Sequence, residues 1–104
     1  MDNRPISEQY RLAAQQWSKA DAVARMLEEG KTTFLAQKMT ELGDVPVSRA
    51  ERDVKATTEW ADYIKRMVNA RTVANEAKVE MQYLNMRYFE QSGAEATRRA
   101  EMRL

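Results

Sequence analysis

The residues best equipped for chemistry are Gly30, Lys31 and Thr32, inside the stretch EEGKTTF over 28–34. Gly-Lys-Thr is how a phosphate-binding loop ends: glycine lets backbone amides close on a phosphate, and the lysine reaches it. The full motif G-x-x-x-x-G-K-[ST] also needs an earlier glycine, in a turn between a strand and a helix. Arg25 occupies that place, and the preceding ADAVARMLEE is helical in character. The amides of a helix interior are already bonded and cannot cradle an anion. Gly30 therefore reads as a flaw in a helix, costing ~1 kcal/mol relative to Ala, which Gly30→Ala would recover.

Carboxylates come next, at Glu28-Glu29 and at Glu76 with Glu80 one turn on. A helical di-metal centre completes its glutamates with Glu-x-x-His, and the chain has neither His nor Cys. Their absence removes the commonest metal ligand, the commonest general base and every thiol nucleophile. These glutamates are expected on solvated faces. No catalytic residue, metal-ligand set or cofactor site is expected, and the chain reads as non-enzymatic.

Nucleic acid is the remaining chemical partner to weigh. Lys and Arg number 17 against 16 Asp and Glu, a net charge of +1, so no global field recruits a polyanion. Tyr10, Trp17, Trp60, Tyr63 and Tyr88 have the chemistry of a base-stacking platform, but they fall on the packing seams described below. The most basic segment is the end of the chain, where Arg98, Arg99 and Arg103 are candidate nucleic-acid contacts. Glu95 and Glu101 dilute them, and cations at a helix C-terminus are explained by its dipole.

The elements that carry these residues are helices. Gly and Pro together are rare, with 3 and 2 copies, and Ala, Glu, Gln, Arg and Met favour helix. Pro5 or Ser7 opens the first one. Ile6, Tyr10, Ala13, Trp17, Ala20, Ala24 and Leu27 then recur at heptad steps. The seam slips at Gly30, and Leu35, Met39 and Leu42 continue it in a new phase, as at a stutter or mild kink. Gly43 ends the helix, and Pro46 forbids its continuation.

Ser48 and Glu51 have capping-box spacing and predict the start of a second helix. Its seam is Ala56, Trp60, Tyr63, Met67, Ala70, Ala74, Ala77, Met81, Leu84 and Tyr88. Ala recurs where a zipper would place Leu, so the helix axes approach closely. A single helical domain over 1–104 is expected, with helix 6–42, turn 43–47, helix 48–91 and a short helix or extension over 93–104. A continuous helix through Gly93 is the alternative to that last element. The fold class is all-α: a long antiparallel hairpin, coiled-coil-like, assembling as a dimeric helix bundle.

The case for a dimer rests on the second helix, which is apolar on two sides. Val79, Tyr83, Met86 and Phe89 lie away from the seam formed by Met81, Leu84 and Tyr88. A helix apolar on both faces is buried on both, so these four residues are the expected oligomer interface. A compact monomer would instead require a third segment, residues 93–104, to fold back over them. No run is long and apolar enough to span a bilayer, and MDNRPISEQY carries no signal-peptide core. The expectation is a cytoplasmic homo-oligomer with a further, unidentified protein partner and no membrane contact.

The segments PVSRAERDVKATTEWADYI and ATRRAEMRL, joined by a long Ala-rich helix, resemble small uncharacterised helical proteins of bacteriophage and prophage genomes. The likeness covers residues 20–104. It implies an accessory role near DNA processing, as some such proteins are encoded beside phage recombination genes, and it carries no functional residues over.

Overall fold

A computed structural model describes residues 2–103. Three helices account for nearly all of them: α1 over Ile6–Glu41, α2 over Val47–Lys55 and α3 over Thr58–Met102. The molecule is a rod, 83 × 22 × 16 Å. α1 and α3 run antiparallel, since Tyr63 reaches Leu27 while Arg71, farther along α3, reaches back to Asp21. The all-α hairpin expected from the heptads is the observed architecture.

Alanine sets the distance between the long helices. Ala24 on α1 and Ala74 on α3 are both 0% exposed, and among the described residues no large side chain is fully buried, so the seam is narrow at both positions. Trp60, Tyr63 and Leu84 fill the wider layers. α1 ends at Glu41 with Leu42 at its cap, and Gly43 follows with φ +82°. That left-handed conformation is open to glycine at no steric cost, and it lets the Gly43 N–H bond the Thr40 carbonyl at 3.1 Å.

The expected helix 48–91 is corrected at both ends. The chain breaks at Ala56-Thr57, between α2 and α3, because the Thr57 side chain competes for helical groups. Its hydroxyl donates to the Val54 carbonyl at 2.6 Å and accepts the Trp60 N–H at 3.2 Å, capping α3. Ala56, expected on the seam, is exposed at this break. At the far end α3 runs unbroken through Gly93, so residues 93–102 form no separate helix and do not fold back.

The Ser48–Glu51 capping box does not form. α2 starts one residue earlier, with Pro46 at the cap and no side-chain cap bond. Ser48 is thereby inside the helix, and Glu51 pairs with Lys55 at 2.7 Å instead. Ala50 and Val54 bury the inner face of α2.

Gly30 is likewise more than a flaw. α1 passes through it without interruption. A Cβ built there would stand 3.0 Å from the Tyr63 hydroxyl, which donates to the Leu27 carbonyl at 2.5 Å. The glycine makes room for an interhelical hydrogen bond.

Candidate interaction surface

Around that hydrogen bond lies a cluster of aromatic rings and cations. The Tyr63 ring stacks on Phe34 at 4.6 Å between centroids, and Phe34 stacks on Trp60 at 6.2 Å. Lys38 lies over Phe34 and Arg66 over Tyr63, so cations rest on the electron-rich ring faces. Lys38 also bonds Glu59 at 2.5 Å, which raises its pKa above the ordinary lysine value. Phe34 and Lys38 continue the first heptad phase past Gly30, beside the shifted stripe of Leu35 and Met39, and all four are half-buried. An open groove of about 500 Å³ runs beside this cluster, lined by Phe34, Lys38, Asp62 and Arg66 among others.

About two turns farther along α3 from Tyr63, Arg71 joins the pair of helices. Its guanidinium grips Glu28 with two bonds, at 2.9 and 2.7 Å, and Asp21 with a third at 2.8 Å. Both carboxyls are held below their ordinary pKa values by those bonds, and Arg71 is pushed above its own. Asp21 additionally pairs with Arg25 at 2.8 Å. Glu28, a candidate carboxylate by type, is thus a structural acceptor. Sequence reasoning missed Arg71, because cross-helix partners are not fixed by spacing along one helix.

Lys31 is exposed in the middle of α1, with no turn beside it. The requirements of a phosphate loop are not met. Glu76 and Glu80 are exposed, and among the described residues no group of His, Cys, Asp or Glu is gathered as a metal site. No described helix is long and apolar enough to cross a membrane.

The four interface candidates lie together on the bare side of α3. Val79 is 64%, Tyr83 53%, Met86 61% and Phe89 64% exposed, while Met81 and Leu84 turn toward α1 and are half-buried and buried. Tyr88 departs from expectation: at 47% exposed it sits at the edge of the seam. The reason is geometric. The first turn of α1, through Ser7 and Tyr10, lies beside Asn85 and Tyr88. Beyond that level α3 has no companion among the described residues, and Phe89–Met102 is exposed except for a half-buried Ser92. This overhang is roughly 20 Å long at the α-helical rise. Tyr88 packs edge-on against Phe89 there, with centroids 5.7 Å apart.

Arg98, Arg99 and Arg103 lie at the tip of the overhang, all exposed. Arg99 and Arg103 are four residues apart and share a face. Arg98 is turned away by about 100° at the helical period, and Glu95 and Glu101 stand among them. In comparisons with protein-family models, curated proteins and solved structures, nothing matches this chain.

Proposed function

We propose that this protein is a non-enzymatic helical interaction protein that self-associates, as a homodimer, and engages a further protein partner as an accessory factor. The observation that carries the reading is the row Val79, Tyr83, Met86 and Phe89, large, apolar and bare on the side of α3 away from α1. Apolar patches of this kind on a water-exposed helix mark sites of protein contact. Helix packing dominates the design, and the polar clusters are spent on internal pairing: Arg71 with Glu28 and Asp21, Lys38 with Glu59. A cytoplasmic setting and a phage accessory role follow from the same reading, the latter through the resemblance drawn from PVSRAERDVKATTEWADYI and ATRRAEMRL.

The test is to charge the row. Val79→Lys combined with Met86→Glu should abolish association in light scattering while leaving the helical circular dichroism of the hairpin in place. An unchanged oligomer mass would remove the row from the interface. A second reading, contact with nucleic acid, is favoured by Arg99 and Arg103 sharing an exposed face. It requires binding that weakens steeply with salt and depends on those two residues.

A further inference from the structure

We infer that the bare face of α3 is covered by a second copy of this chain docked antiparallel, each overhang lying along the other's apolar row, with Phe89 beside the two-fold axis. The inference rests on the self-association proposed above and specifies its geometry. Val79, Met86, Gly93 and Ala100 recur at seven-residue spacing on one unbroken helix, so they form a single line along it. Successive members of that line drift by only ~20° around the helix. The first half of the line is bulky and the second half small, with open space where a Cβ on Gly93 would stand.

Turning the line against itself about the point midway between Phe89 and Glu90 places Val79 opposite Ala100, and Met86 opposite Gly93. Large then meets small in each layer, which is how facing helices interdigitate without voids. A parallel pairing would set Met86 on Met86 and Gly93 on Gly93, crowding one end and leaving the other empty.

Length and area agree with this arrangement. The overhang past Tyr88 has no intrachain partner among the described residues, and a lone helix of ~15 residues or fewer is marginal in water. Antiparallel docking gives each overhang a companion over its own length. The exposed parts of Val79, Tyr83, Met86 and Phe89 in two copies amount to on the order of 1,000 Å², near the lower bound for a specific interface.

The chain has no cysteine, so introduced thiols report on the interface alone. Met86→Cys and Gly93→Cys chains are mixed, annealed and oxidised with glutathione disulfide, after their mass and helicity have been checked. The antiparallel register yields a disulfide between the two variants, and roughly tenfold less from either variant alone, because a disulfide needs closely opposed Cβ atoms. Val79→Cys mixed with Ala100→Cys reads a second layer, should the first pair fold poorly. Self-linking of Met86→Cys and of Gly93→Cys would mean parallel docking and overturn the inference while leaving self-association standing. A wild-type dimer with no cross-link in either pair would overturn the register. A wild-type monomer would remove the inference together with the reading beneath it.

Discussion

The Tyr63 hydroxyl occupies the space that a side chain on Gly30 would need, 3.0 Å from where its Cβ would stand. Two opposing effects meet at this point. Alanine would relieve the helix penalty of glycine, ~1 kcal/mol, but it would press on a hydroxyl already bonded to Leu27 at 2.5 Å. A part-buried hydrogen bond of this kind contributes ~1 kcal/mol net. Gly30→Ala is therefore expected to be near neutral in the wild-type chain and to stabilise by up to ~1 kcal/mol in a Tyr63→Phe background. Urea unfolding of the four proteins gives the coupling. Equal effects in both backgrounds would mean that glycine and tyrosine act independently.

The ion-pair cluster of Arg71 sets a pH dependence. Asp21 and Glu28 are held below their ordinary values in the folded chain by the Arg71 guanidinium. A carboxyl with a depressed folded pKa stabilises above its unfolded pKa, near ~4, and that contribution is lost as pH falls through the folded value. Arg71→Met should thus be less stable than wild type at neutral pH, with the difference closing in acid. Both proteins are compared by thermal melts across a pH series. A difference that stays constant to acid pH would show that Arg71 contributes by its stem and not by its charge.

The break between α2 and α3 makes two residues of similar type behave differently. Thr57→Ala removes the hydroxyl that caps Trp60 and should cost ~1 kcal/mol. Ser48→Ala removes no cap bond and should be close to neutral. Denaturant midpoints of the two variants test this contrast. A larger loss at Ser48 would restore the capping box there.

Close packing at Ala24 and Ala74 leaves no room for growth, as both are fully buried. Ala74→Leu should destabilise by ~1–3 kcal/mol through forced separation of α1 and α3. The same exchange at Ala94, which is exposed on the overhang, should leave the hairpin's unfolding midpoint unchanged. Equal tolerance at the two positions would mean that the long helices are not held at the distance Ala74 sets.

How much was legible beforehand follows from what kind of interaction each residue makes. The heptad steps from Ile6 to Leu27 and from Trp60 to Leu84 made the two long helices legible, because seam residues are periodic along a single chain, and the short turn between them implied antiparallel packing. The start of the turn was readable from Gly43 and Pro46. The Thr57 break was hidden because Ala56 and Trp60 keep heptad step across it. Thr57-Thr58 followed by Glu59 was the available signal, a capping residue with an acid in the first turn. Ser48 misled because the same chemistry caps a helix only from outside it. Tyr63–Gly30 and Arg71–Glu28 were out of reach, since each joins residues on different helices whose alignment only the fold supplies. The row Val79, Tyr83, Met86 and Phe89 was legible as a second apolar face, whereas the bare overhang beside it depends on where α1 begins.

Sedimentation equilibrium of the wild-type chain at micromolar concentration tests the central claim most directly. Burying side chains of the size of Val79, Tyr83, Met86 and Phe89 is worth about 1.5–3 kcal/mol each, enough in duplicate to exceed the entropy of association. The expected result is a mass twice the 12.1 kDa of one chain, with dissociation on dilution. A single species of 12.1 kDa that stays helical and folded at that concentration would contradict the account, for it would leave the apolar row on α3 stably bare in water.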